Sequence, residues 1–377
     1  MGMIIRSGTV FQGNGFVQQD LFTEGNRIAV SAEGEVIDAV GLYVIPGLVD
    51  IHVHGAAGYS FSAGGEGLQT FCSYEVNHGI TSFCLTGMCL PEEKLMKMVE
   101  AVQGYDHPGI AGIRLEGPFL NAQRCGAQDS SSVIPGDAGL LSRLNKASGN
   151  RIRIVDTAPE VSGNMEFIRE AAGSVCISIG HTAADYDTAK QAFAAGASHV
   201  THLYNAMNPV HHRFPGPVIA AWEAGADVEL ICDGIHIHPA VVRMTFALFG
   251  EDRVIMVSDS MAGTGLPDGT YLLGGKAVRK TGSRVVLEER PDTLAGSVTD
   301  LYSCFRKAVL EMNIPLVSAL KAVTVNPARS ISLDAGSLEP GRYADLLLVD
   351  DHLEIKTIIH RGRIVQKDNK EYNGGSL

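Results

Sequence analysis

The chain has no excess of positive charge, no long apolar run and no paired pattern of cysteines, and each absence excludes a class of function. Lys and Arg number 30 against 42 Asp and Glu, a formal net charge of −12. Such a balance gives no general attraction for nucleic acid or an anionic membrane, so an anionic small molecule would need a local cationic pocket. No uninterrupted apolar run approaches the roughly 20 residues that cross a bilayer. The opening stretch MGMIIRSGTVFQG has no apolar core of signal-peptide length, and Arg6 stands where a myristoylation signal needs Ser or Thr. The expectation is a cytoplasmic protein. The seven cysteines (Cys72, Cys84, Cys89, Cys125, Cys176, Cys232 and Cys304) are odd in number and scattered, mostly inside apolar stretches. That distribution fits reduced core residues better than disulfides or a zinc knuckle.

What is present is a chain of 377 residues, 45% hydrophobic and with 43 glycines, enough for a large core and many turns. Residues 3–43 and 336–366 show short alternating runs broken by Gly and Asn, the pattern of antiparallel strands and hairpins. Two β-rich ends around a different middle suggest one small sheet domain assembled from both termini, residues 1–47 and 336–377. The final KDNKEYNGGSL is polar and is expected to be loose. Between the ends, over residues 48–335, short apolar runs alternate with helical patterns, the signature of βα units. The runs are an opening one through Val44–Val49, then 80–86, 112–116, 151–160, 175–181, 198–202, 228–234 and 253–259. Eight parallel strands with crossover helices close into an α/β (β/α)8 TIM barrel.

The residues ending those strands carry the chemistry. The opening run VIPGLVDIHVHG, residues 44–55, ends in Asp50, His52 and His54, which share one face of an extended chain, so both imidazoles can reach one ion. Taken alone, a His-x-His pair is as readily ordinary packing. However, Glu116 ends the third strand, His181 the fifth, His202 the sixth, and Asp259 the eighth, while Asp233 with His236 follows the seventh. In a barrel these ends ring one mouth. Core histidines placed at random would not choose it so often, and a metal-dependent site is the reading that results.

With these residues in place, the sequence resembles the amidohydrolase superfamily and, within it, the N-acetylglucosamine-6-phosphate deacetylases. The resemblance rests on PGLVDIHVHG, LEGPFLN (115–121), GHT (180–182), THLYNAMNPVHHR (201–213), DGIHIHP (233–239), SDSMAGTGLPDG (258–269), TLAGS (293–297), NPAR (326–329) and PGRYADLLLVD (340–350). It implies a barrel with a small β-sandwich, and hydrolysis of the acetamide of N-acetylglucosamine 6-phosphate to glucosamine 6-phosphate and acetate. It further implies that Glu116, His181 and His202 are the principal metal ligands and that His52 and His54 hold a second ion, with Glu116 placed to bridge. Two divalent ions per subunit are expected, zinc first, with iron, manganese or cobalt also suited to such ligands. Asp259 is the implied general base, and Asp50 is expected to orient an imidazole. By the same resemblance Arg213 and His236 contact the substrate phosphate, reaching it from a neighbouring subunit of a homodimer, while Asn205 and Ala206 contribute donors. His211, His212 and His238 have no assigned role.

The chain departs from the family pattern in two places. Gln128 stands where many members have His; it can donate a hydrogen bond to substrate but cannot become cationic, which shifts carbonyl polarisation toward metal. Phe214 stands where Glu is common, which removes a carboxylate beside Arg213. Three other readings compete. A cyclic-amide hydrolase would use a modified lysine on the fourth strand, and RIRIVDTAPE (151–160) has none. A deacetylase of the N-acetylgalactosamine 6-phosphate epimer keeps the chemistry. A non-enzymatic barrel scaffold predicts a missing ligand or base.

Overall fold

In this computed structural model residues 2–367 are described, and the chain forms two units, Met1–Gly47 with Asp334–Leu377 and Leu48–Leu333. The terminal KDNKEYNGGSL lies almost wholly outside the described residues. The small unit is built on Gly2–Phe11, whose first half pairs in parallel with Gly34–Asp38 and whose second half pairs in parallel with Tyr43–Pro46, while its antiparallel register with Phe16–Glu24 shifts between Ile5 and Gly8. Phe16–Glu24 runs antiparallel along it, and the C-terminal strands Leu346–Val349, Ile355–His360 and Arg363–Lys367 extend the same network through Tyr43–Pro46. Ile5, Val10, Val44, Leu346 and Leu348 pack into a core made of this unit's own residues.

The large unit is an eight-stranded parallel sheet of Leu48–Val53, Ile80–Gly87, Ile110–Phe119, Ile152–Thr157, Cys176–Ile179, His199–Val200, Asp227–Ile231 and Val254–Val257, each beside the next. The Asp259 N–H donates to the His52 carbonyl at 2.9 Å and joins the last strand to the first. This is the expected (β/α)8 barrel. Crossover helices follow their local signals: Tyr186–Ala195 opens on Asp185, whose carboxylate accepts from the Thr188 N–H, and ends at Gly196.

Two features differ from the expectation. The apolar run Val44–Val49 is two strands, because Gly47 divides it between units; Tyr43–Pro46 belongs to the small sheet and Leu48–Val53 to the barrel. A four-stranded antiparallel sheet, Gly269–Leu273, Lys276–Thr281, Arg284–Leu287 and Arg290–Leu294, follows the eighth strand and was not anticipated. It has its own apolar layer of Leu273, Val278, Val285 and Leu287 packed with Met88 and Met261. Among the described residues no helix is long and apolar enough to cross a membrane, and all seven cysteines are free.

Candidate active site

Four chemistry-bearing side chains leave the barrel at the same point in the chain. His181, His202, Asp233 and Asp259 each stand two residues beyond the end of a strand. His181, His202 and Asp259 adopt positive φ values of 51°, 25° and 48°. Non-glycine residues enter that region at a cost, and the surrounding structure must hold them there. The conformation turns each side chain inward over the strand ends. His52 and His54 project from the first strand and its edge, and Glu116 from within Ile110–Phe119, three residues before its end.

The result is two adjoining donor sets. His52, His54 and Asp259 form one, and Glu116, His181 and His202 the other, with the ligand atoms of each set within 4.8 Å of one another. Glu116 faces both. Its Oε1 lies 3.0 Å from His181 Nε2 and from His202 Nε2 and 3.5 Å from His52 Nε2, and its Oε2 lies 3.2 Å from His54 Nε2. Asp259 Oδ1 is 3.1 Å from His54 Nε2 and 3.5 Å from His52 Nε2.

These six residues are nearly sealed from solvent, yet His52 Nε2 has no hydrogen-bond partner, an orphan such burial rarely tolerates. Burial and the Arg114 charge would lower the His52 pKa, but the Asp259 charge, the nearby Glu116 carboxylate and the hydrogen bond to Glu229 push it up to about 10. Burial would likewise lower His54, and its hydrogen bonds to Asp259 and Glu116 push it up to about 9. Burial would raise Glu116, but contacts to His181 and His202 hold it well below the usual carboxylate range. In the absence of an ion the carboxylates draw protons onto His52, His54 and His181. A site with this demand for positive charge, made of imidazole and carboxylate, fits divalent cations.

The clusters floor a cavity of about 410 Å³, large enough for a small sugar derivative. Gln128, Asn205, Ala206 and His236 also line it. The amide of Gln128 is engaged by the site itself, since Nε2 donates to Glu116 Oε2 and Oε1 accepts from the Cys89 N–H at 2.7 Å. The expected free donor to substrate is thus a brace on a metal-ligand candidate. The Asn205 side-chain amide donates to the carbonyls of His202 and Leu203 at 3.1 and 3.3 Å. His236 lies in this chain's own cavity, its Nδ1 2.7 Å from Asp233 Oδ2, so it does not need a second subunit to reach the site. Burial would lower its pKa, and the Asp233 hydrogen bond and charge raise it.

Other expectations are not met within one chain. Arg213 is exposed, does not line the cavity, and contacts His212 Nε2 at 2.6 Å. Asp50 does not touch an imidazole: its Oδ1 accepts the His52 backbone N–H at 3.1 Å, and burial pushes its pKa up to about 6 despite hydrogen bonds from Ser258 and His52. His238 caps the helix Pro239–Phe249.

The imidazole partner is Glu229, on the seventh strand, whose Oε2 lies 3.0 Å from His52 Nδ1. Around it the barrel interior holds a buried polar layer not anticipated from the sequence. Arg114 donates to Glu229 Oε1, to both oxygens of Asp156 and to Thr201, and His199 Nε2 lies 2.9 Å from Glu229 Oε1. The signal was a charged residue inside each of several apolar strands: Arg114 in GIRLE, Glu229 in VELICDG and Asp156 in RIVD.

Comparison with known proteins agrees with this geometry. The amidohydrolase family model matches residues 43–371. The chain belongs to the amidohydrolase family. Within the family it is 33% identical to an N-acetylglucosamine-6-phosphate deacetylase of Lysinibacillus sphaericus over 98% of this chain and 99% of that protein. It is 30% identical to the human protein of the same name over 94% of this chain and 93% of that one. The structure of a point mutant of the Mycobacterium smegmatis N-acetylglucosamine-6-phosphate deacetylase, in complex with N-acetylglucosamine 6-phosphate, superposes with a TM-score of 0.91 at 32% identity, covering 97% of this chain and 99% of that one.

Proposed function

We propose that this amidohydrolase hydrolyses the acetamide of N-acetylglucosamine 6-phosphate, giving glucosamine 6-phosphate and acetate. One observation carries the reading: two imidazole–carboxylate clusters share Glu116 at the floor of a single cavity, in a chain similar along almost its whole length to deacetylases of this substrate. Glu116, His181 and His202 would hold one divalent ion, and His52 and His54 a second, zinc being the first choice among ions that accept such ligands. When bound, such ions lower the pKa of water and polarise a carbonyl oxygen.

Asp259 is the group positioned to move the proton. Burial would raise its pKa, but the charge of His52 and the hydrogen bond to His54 lower it, so it is a carboxylate near neutrality and accepts a proton from the attacking water. As the C–N bond breaks, the same carboxyl returns that proton to the leaving nitrogen, which would otherwise depart as a poor amide anion. Gln128 fixes the unshared oxygen of Glu116. His236, Asn205 and Ala206 border the space the sugar would fill. Arg213 would meet the phosphate from the neighbouring subunit of a cytoplasmic homodimer, its planar fork suited to two phosphate oxygens. The exposed Val210 and Phe214 beside it, 46% and 73% accessible, support a covered surface there.

A cyclic-amide substrate is not favoured, because the fourth strand, Ile152–Thr157, carries no lysine and Glu116 faces both clusters instead. A panel of phosphorylated and free N-acetylglucosamine and N-acetylgalactosamine tests the reading. Acetate release should be fastest from N-acetylglucosamine 6-phosphate. Equal rates on all four would remove the phosphate and epimer assignments.

A further inference from the structure

We infer that Glu229 is the positioning residue that ties the two donor clusters together and sets the tautomer in which His52 can accept an ion. An ionised carboxylate has about four lone-pair sites, and Glu229, fully buried on Asp227–Ile231, has four partners. On Oε1 these are Arg114 and, at 2.9 Å, His199 Nε2; on Oε2 they are His52 Nδ1 at 3.0 Å and the backbone N–H of His202 at 3.1 Å. The Arg114 guanidinium and the His202 amide have no acceptor capacity, so the carboxylate is the only acceptor in the set that can face them. His52 must then donate through Nδ1. In the neutral ring, the form that binds an ion, that places the lone pair on Nε2, the atom with no hydrogen-bond partner that lies 3.5 Å from both Glu116 Oε1 and Asp259 Oδ1. The same Oε2 holds the backbone of His202, a member of the other cluster, in its left-handed turn at φ 25°. One oxygen therefore acts on a side chain of the first donor set and the main chain of the second. The sequence offered a trace of this: a glutamate two residues inside an apolar strand, with no surface to face.

Glu229→Gln is the informative change, because it keeps the shape and removes two acceptor sites. The amide oxygen would turn to Arg114, whose charge is the stronger claim, and the NH2 would then face His52 Nδ1 and the His202 N–H. His52 would respond by protonating Nε2, which closes it to an ion, and the His202 amide would lose its acceptor. Outer-layer partners of metal ligands contribute about 10–100-fold to metal affinity, so Zn²⁺ titration followed by metal analysis should give weaker binding of about that size and a reduced stoichiometry in Glu229→Gln. Two equivalents bound by the variant with wild-type affinity would overturn the inference. Histidine-ring NMR of the zinc-loaded wild-type protein reads the tautomer without any substitution and stands if the variant fails to fold. A protonated Nδ1 on His52 is expected, and a protonated Nε2 would refute the assignment. The inference rests on the metal-dependent reading, and the two fail differently. A wild-type protein that takes up no divalent ion ends both, whereas a wild type and a Glu229→Gln variant that each bind two equivalents equally end only this one.

Discussion

Asp259 occupies a position that serves two chemistries, since its Oδ1 reaches toward the His52/His54 pair while its place beyond the eighth strand faces the cavity. Asp259→Asn preserves the shape and removes the base. Turnover should fall by about 10²–10⁴-fold, the range general acid–base groups contribute, while metal analysis still finds an ion at Glu116, His181 and His202. Near-wild-type kcat in that variant would remove Asp259 from the proton path. The histidines make a separate prediction about pH. In the ion-free protein His52 and His54 hold their protons up to about 10 and about 9, and an ion binds only the deprotonated ring. Proton and metal therefore compete, so apparent affinity should rise with pH toward that range, and calorimetry in buffers of different ionisation enthalpy should register proton release on binding. Affinity that is flat from pH 6 to 9 would contradict the environment described for these rings.

At the scale of elements, the barrel strands were legible because most are short apolar runs with nearly every position buried, and four of their ends because His181, His202, Asp233 and Asp259 each stand two residues beyond them. The Arg114–Glu229–Asp156 layer was harder to read. Charges inside apolar strands do not say which face they take until the strands are closed into a barrel. Asp50 shows the same limit: it shares a face with His52 and His54, yet its carboxylate turns to backbone donors. The four-stranded insert was missed for another reason. Its strands carry several Lys and Arg, and Lys276–Thr281 and Arg290–Leu294 have few buried positions, so the alternating signal is weak. Yet the insert borders the cavity through Leu273, Asp292 and Thr293, and its Lys276 Nζ donates to the Gln128 carbonyl at 2.9 Å while Arg290 donates to that of Gly126 at 2.8 Å. Lys276→Met keeps the stem and removes the donor, which loosens the segment carrying Gln128. A rise in KM of about fivefold with kcat nearly unchanged is expected, the equivalent of the roughly 1 kcal/mol of one hydrogen bond. A fall in kcat at constant KM would instead place Lys276 in the chemical step.

For the whole molecule, one chain holds both donor clusters and a cavity but presents no arginine from the 211–214 loop to it, so under the proposed function Arg213 would come from the neighbouring subunit. Mixing Arg213→Ala and Asp259→Asn proteins tests that directly. If subunits exchange freely, the hybrid dimer contains one site with both residues intact, and activity on the phosphorylated sugar should return to about a quarter of wild type. No recovery in a mixture shown to contain hybrids would place Arg213 outside the site. The charge of the whole chain, −12, makes such a local cation necessary, because the long-range field repels a phosphorylated substrate. The central claim is metal-dependent deacetylation, and one measurement addresses it most directly: acetate release from N-acetylglucosamine 6-phosphate, with metal content determined on the same sample before chelation, after chelation and after restoring Zn²⁺ or another divalent ion. Activity should track the bound ion, vanish with its removal and return with its restoration. Release that persists in metal-free protein, or fails in protein carrying its full complement of ions, would contradict the account.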